Sequence, residues 1–210
     1  MKTRIMTLRR GRLEKAHLDE AGKILAAGGI AAYPTETFYG LGASAASAEA
    51  AAKIFRLKGR DPSQALPLIA SDLKMVKAWV NRPGPEFDGL VRKFWPGSLT
   101  LVMKASEAVP DHIQGPGGSI ALRVPPRAWL RGLIRRLGVP LIATSANPSG
   151  SGAFSDPDSV RAHFEGRVEL IIDGGETEGR LPSTILDLTG KDPVILREGA
   201  VPREDLAAFL

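Results

Sequence analysis

The sequence predicts an α/β fold: a single domain in which a twisted, mixed β-sheet is flanked by helices. Three observations carry this expectation. Short apolar runs alternate along the chain with longer runs of helical period. Several of the short runs follow one another with no helix between them, which requires antiparallel as well as parallel neighbours and so a mixed sheet. The size, 210 residues at 43% hydrophobic and 24% charged, suits one core that buries about 70% of the surface an unfolded chain exposes.

In order, residues 17–28 read as a helix with Leu18, Ala21, Ile24 and Leu25 on one face, stopped by Gly28 and Gly29. IAAY at 30–33 is a short strand that Pro34 ends. Ser47 is a good N-cap for a helix over 48–57, and Gly59 terminates it. LPLIA at 66–70 is a strand, 71–80 a helix, and 85–94 a helix with Pro85 in its first turn. Strands follow at 98–104, 119–124, 140–145 and 168–173. Between the second and third of these, residues 125–138 form a helix with Trp129, Leu130, Leu133, Ile134 and Leu137 inward. Arg127, Arg131 and Arg135 recur every four residues on its other side. Residues 183–189 and 193–197 read as closing strands, and 202–210 as a final helix.

The formal charge of +5 and a pI of about 9.7 invite a polyanion partner, but the distribution is uneven. Residues 1–15 carry +5, residues 112–155 carry five arginines and no acid, and residues 156–210 carry −6. No cysteine is present, which excludes disulfides, a thiol nucleophile and cysteine-ligated metals. His17, His112 and His163 form no ligand pattern. No apolar run is long enough to span a membrane, and the basic N-terminus lacks the apolar stretch of a secretory signal. A cytoplasmic protein is expected.

Four polar, glycine-rich segments lie where strands meet loops, the usual place for ligand-binding groups. YPTETFYGLG at 33–42 offers Thr35, Glu36 and Thr37 beside Gly40 and Gly42. It suits a small polar ligand or, more plainly, a turn capped by threonines. Its Gly40-x-Gly42 spacing imitates a dinucleotide fingerprint, but the helix begins too late for one. Lys58-Gly59-Arg60 could cradle phosphates or merely cap a helix C-terminus with cations. No Walker sequence accompanies it. ATSANPSGSG at 143–152 could form an anion nest or a plain Ser/Gly loop, and it contains no GxSxG elbow. Finally, Arg123 at the end of one core strand and Ser183-Thr184 at the start of another form a fourth candidate, and Arg197 ends a further strand as Arg123 does. A buried arginine is costly unless an anion meets it, whether an acidic side chain or a ligand carboxylate.

Together these segments resemble the YrdC-like threonylcarbamoyl-AMP synthase family. The resemblance runs from about residue 12 to 203, leaving residues 1–11 as a basic N-terminal arm. Its signatures occur in family order: PTETFYGLG, KGR, WPGSLTLVM, SIALRVP, TSANPSG, STILDLTG and ILREGAV. It implies a twisted α/β fold with a large concave basic cavity, and the short, single-domain type. The implied reaction joins L-threonine, bicarbonate and ATP, with Mg²⁺, to give threonylcarbamoyl-AMP and pyrophosphate. A separate transferase would use that product to make N6-threonylcarbamoyladenosine in tRNA. By motif position, Lys58, Arg60, Ser145 and Asn147 form the active-site tetrad. Thr37, Arg123, Ala143 and Ser183 fall at threonine contacts. Arg60, Gln64, Ser119, Ser145, Ala153 and Arg197 fall at nucleotide contacts. Ile69 departs from the pattern, since longer members carry a histidine there. The alternative is a non-catalytic RNA-binding protein that uses the basic cavity and the N-terminal arm for weak tRNA attraction. The low aromatic content, 6%, leaves it few groups for base stacking.

Overall fold

The computed structural model describes residues 2–59, 61, 65–148, 150–178 and 181–210. Among these the chain runs β1 (Arg4–Thr7), α1 (Lys15–Ala26), β2 (Ala31–Pro34), β3 (Tyr39–Gly42), α2 (Ala48–Lys58), β4 (Leu68–Ile69), α3 (Leu73–Trp79) and α4 (Phe87–Phe94). It continues through β5 (Leu99–Lys104), β6 (Ser119–Arg123), α5 (Ala128–Leu137), β7 (Leu141–Ile142), β8 (Thr144–Ser145) and α6 (Pro157–Phe164). It ends with β9 (Leu170–Asp173), β10 (Thr184–Asp187), β11 (Val194–Arg197) and α7 (Arg203–Leu206).

The fold is mixed α/β, but its strands divide between two sheets rather than forming the single sheet expected. The first has the order β1-β9-β2-β3-β8 and the second β11-β10-β5-β6-β4-β7. Both are mixed. In the first, β9 runs parallel to β1 and β2, while β3 is antiparallel to β2 and β8. In the second, β10 is parallel to β5 and β4 to β6, while β5 and β6 are antiparallel.

The period of two along each strand sorts side chains between layers. Ala31, Tyr33, Leu170 and Ile172 pack with Leu25 of α1 and with Trp129, Leu130 and Leu133 of α5. Ala32 and Ile171, on the opposite face, join the larger core with α2, α4 and α6. In the second sheet Leu99, Leu101, Met103, Ile120, Leu122 and Leu186 point into that same core. Their neighbours Thr100, Val102, Ala121, Arg123 and Ile185 point the other way and floor a cavity.

Capping fixes the helix ends. The Ser47 hydroxyl accepts from the Ala50 amide, and Gly59 closes α2 in the left-handed conformation at φ 61°. Asp72 and Asp156 cap α3 and α6 in the same manner through Met75 N–H and Ser159 N–H. Arg131 does not simply face solvent from α5: its guanidinium donates to the carbonyls of Pro125 and Pro126, each at 2.8 Å. No helix among the described residues is long and apolar enough to cross a membrane.

Two segments expected outside the sheet belong to it. Residues 4–7, within the expected basic arm, form β1 and bury Met6 beside Ile172. Tyr39–Gly42, read as a glycine-rich loop, is β3, fully buried. The run 140–145, expected as one strand, is two. Leu141–Ile142 pairs with β4 in one sheet, and Thr144–Ser145 pairs with β3 in the other. Here the two sheets meet.

Candidate active site

The cavity has a volume of about 710 Å³ and opens between the exposed face of the second sheet and the β3–β8 edge of the first. Of the twelve residues singled out from the sequence, nine line it. Thr37 comes from the turn after β2, Ser119 and Arg123 from β6, and Ala143 and Ser145 from the β7–β8 junction. Asn147 and Ala153 follow on the succeeding loop, and Ser183 and Arg197 stand beside β10 and at the end of β11. Lys58 lies just behind the wall. Arg60 and Gln64 fall outside the described residues.

Lys58, at the last turn of α2, is only 6% exposed. Its ammonium donates to the Ser145 carbonyl at 2.6 Å, the Asn147 carbonyl at 2.9 Å and Asn147 Oδ1 at 3.1 Å. Asn147 Nδ2 donates in turn to the Ser151 carbonyl, and the Ser145 hydroxyl to Asn147 Oδ1. One buried cation thus fixes the shape of the loop that forms a cavity wall, with its charge delivered close behind that wall.

Of the two anions considered for Arg123, the structure holds an acidic side chain. The Arg123 Nη1 donates to Glu36 Oε1, which also accepts from Ser98 Oγ at 3.1 Å. Glu36 is not among the lining residues, whereas Arg123 is, so the carboxylate supports the guanidinium from behind. Glu36 Oε2 and the Tyr33 hydroxyl are buried with no hydrogen-bond partner among the described residues. Burial pushes the Tyr33 phenol well above the ordinary tyrosine range, an effect the Arg123 charge reduces and the Glu36 charge increases.

Arg197 donates to the Ser183 carbonyl at 2.7 Å and to Ser183 Oγ at 3.1 Å, and that hydroxyl lies 3.0 Å from Thr100 Oγ1. The residue as a whole is exposed, but its guanidinium sits back against the wall. Desolvation, then the Arg123 charge, lowers its pKa, and it remains a cation near neutrality. One corner of the cavity therefore presents two arginines and several hydroxyls to a ligand. Ser119 Oγ is committed to the Pro116 carbonyl at 2.9 Å. The Thr37 amide donates to Thr35 Oγ1, fixing the turn after β2. Among the described residues no three His, Asp or Glu side chains converge as a metal site.

Several lining residues were not singled out from the sequence: Tyr33, Thr100, Ile185 and Asp187. The signal that finds the last two is the two-residue period counted onward from Ser183 along β10.

Residues 23–199 match the Sua5/YciO/YrdC family profile, described as "Telomere recombination". The chain is 38% identical over 197 residues to the threonylcarbamoyl-AMP synthase of Pyrococcus abyssi, a match covering 94% of this chain and 58% of that protein. The Thiobacillus denitrificans threonylcarbamoyl-AMP synthase is 38% identical over 165 residues, covering 78% of this chain and 87% of the relative. This chain thus spans little more than half the length of the Pyrococcus protein. In structure it is similar to P. abyssi Sua5 complexed with L-threonine, at TM-score 0.93 and 36% identity over 99% of this chain and 61% of that one. It is also similar to E. coli YciO, at TM-score 0.89 and 28% identity over 99% and 100% of the two chains. With a profile match over most of its length and the cavity built from the motifs that profile spans, the chain belongs to the Sua5/YciO/YrdC family.

Proposed function

We propose that the chain is an L-threonylcarbamoyladenylate synthase, joining L-threonine, bicarbonate and MgATP into threonylcarbamoyl-AMP and pyrophosphate. The observation that carries this reading is convergence: the Lys58–Ser145–Asn147 network and the Arg123–Ser183–Thr37 corner face one cavity, in a chain 38% identical to proteins bearing that name.

In this reading Thr37, Arg123, Ala143 and Ser183 receive threonine, with the Arg123 guanidinium on its carboxylate. The threonine amine attacks bicarbonate, water is lost, and an N-carboxylate forms. An oxygen of that carboxylate attacks the α-phosphorus of ATP, and pyrophosphate leaves with its bonding pair. Negative charge builds on phosphoryl oxygens, so preorganised cations and amide dipoles matter more than a strong base. Arg60, Gln64, Ser119, Ser145, Ala153 and Arg197 serve the nucleotide. Lys58 and Asn147 shape the loop against which carbamate and phosphates rest. Mg²⁺ arrives on the ATP phosphates as part of the substrate. The product then passes, in the cytoplasm, to a separate transferase that modifies tRNA.

Pyrophosphate release measured with this chain tests the reading. Release is expected only when threonine, bicarbonate and MgATP are all present. Absence of pyrophosphate with all three would overturn it, and salt-sensitive tRNA binding without turnover would favour the RNA-binding alternative.

A further inference from the structure

The floor of the cavity is graded in polarity. Strands β10, β5 and β6 place Asp187, Val102 and Ala121 in one row of paired residues, and Ile185 and Thr100 in the next. Arg123 lies two residues beyond Ala121 on the same face. The corner around Arg123 and Thr100 is cationic and rich in hydroxyls, Val102, Ala121 and Ile185 are apolar, and Asp187 is acidic. It is the one carboxylate among the described residues that line the cavity. Two strand spacings across and two residues along put it about 12 Å from Arg123.

Asp187 is partly committed. Its Oδ1 accepts the Thr189 amide at 2.8 Å, and its Oδ2 has no hydrogen-bond partner among the described residues. An ionised carboxylate accepts hydrogen bonds and donates none. Its charge also repels phosphates, which turns an entering nucleotide so that its phosphates face the arginine end and its base the Asp187 end. The apolar surface between suits the flat face of a base.

We infer that Asp187 selects the nucleobase, accepting a hydrogen bond from the 6-amino group of a purine laid on Val102, Ala121 and Ile185. This rests on the nucleotide reading above and extends it from phosphates to base. A 6-oxo purine turns a carbonyl oxygen toward the carboxylate and is rejected. Guanine and hypoxanthine carry their donors at N1 and beyond, displaced from the position-6 atom that Asp187 meets.

The test compares ATP with ITP, which replaces the 6-amino donor by a carbonyl and adds a proton at N1, in the wild-type protein and in Asp187→Asn. Thr189 N–H holds the side-chain oxygen in the variant, so the amide nitrogen faces the base and donates. Wild type is expected to favour ATP over ITP by at least about tenfold, as a charge-assisted hydrogen bond warrants, and Asp187→Asn to collapse or invert that ratio. The ratio is read in pyrophosphate release and in competition binding against a fluorescent ATP analogue. Being taken within one protein, it does not depend on the fraction folded. An unchanged ATP/ITP ratio in Asp187→Asn overturns the inference. So does a variant that alters discrimination against 2′,3′-dideoxy-ATP while leaving ATP/ITP intact, since Asp187 would then read the ribose. Wild-type protein that binds nucleotides with the expected ratio but releases no pyrophosphate overturns the proposed reaction and leaves the base assignment standing.

Discussion

Arg123 is 8% exposed and would be an expensive residue to bury alone. Glu36 makes it affordable, and the pair is legible only in part from sequence: the strand-ending arginine signals the need for an anion, but 87 residues separate it from the one it finds. Glu36→Ala leaves the guanidinium unpaired. It is expected to lower unfolding free energy by about 3 kcal/mol or more, read as a shift of the urea midpoint. Glu36→Gln keeps a hydrogen-bond acceptor and should recover part of that loss. Equal midpoints for Glu36→Ala and wild type would show that the pair contributes nothing. At Lys58 the expected loss is in activity: Lys58→Ala removes the donor shared by Ser145 and Asn147 and should reduce pyrophosphate release by at least about tenfold. Arg60→Ala is expected to cost as much. Wild-type rates in either variant would contradict the role proposed for it.

At the scale of elements, the glycines of the first motif hold two strands against a ring. A Cβ on Gly42 would lie 2.5 Å from Tyr33 Cε1 and 2.8 Å from the Ile142 carbonyl oxygen, both fixed in the buried seam between the sheets. Gly42→Ala is therefore expected to destabilise by about 2–3 kcal/mol as an overpacked core does. Gly150, at φ +84° with nothing within 4 Å, should cost only about 1 kcal/mol for its backbone conformation when changed to Ala. Urea unfolding of the two variants separates them, and equal losses would refute the packing account. The same glycines explain why β3 did not read as a strand: YGLG carries two residues of low strand propensity, chosen for close approach rather than for pleated packing. Strand β1 was hidden differently. Of Arg4, Ile5, Met6 and Thr7 only Met6 is buried, so the edge strand shows no apolar run. Helix α2, by contrast, was legible at its start and in both caps, with its end one residue beyond the expected 57, because Ser47 and Gly59 act through local hydrogen bonds and backbone conformation. The division of 140–145 between two sheets depends on distant pairing partners, which no local pattern records. The cavity was legible through its motifs, and Asp187 through the two-residue period counted from Ser183, whereas the place of Tyr33 beneath it depends on the pairing of β2 with β3.

For the whole molecule, the only two tyrosines in the chain are both fully buried, Tyr33 beneath the cavity and Tyr39 in the main core. Tyr39 donates to the Gly175 carbonyl and accepts from the Gly174 amide, and burial pushes its pKa up to about 12. Burial moves Tyr33 in the same direction. An unfolded chain ionises both phenols near pH 10. Above that pH the unfolded state has released protons that the folded state still holds, so stability is full below about pH 10 and falls as pH rises toward 12. Phenolate absorbance should therefore stay flat past the ordinary tyrosine range. It should then rise in one step, together with loss of helical circular dichroism, because the two rings lie on opposite sides of the first sheet's β2–β3 hairpin and are released by the same unfolding. Tyr39→Phe should flatten the dependence of the melting temperature on pH between 10 and 12 relative to wild type. A phenolate signal of half or full amplitude near pH 10, with the circular dichroism intact, would show that a ring ionises inside the folded protein, and the burial argument for that tyrosine would fail.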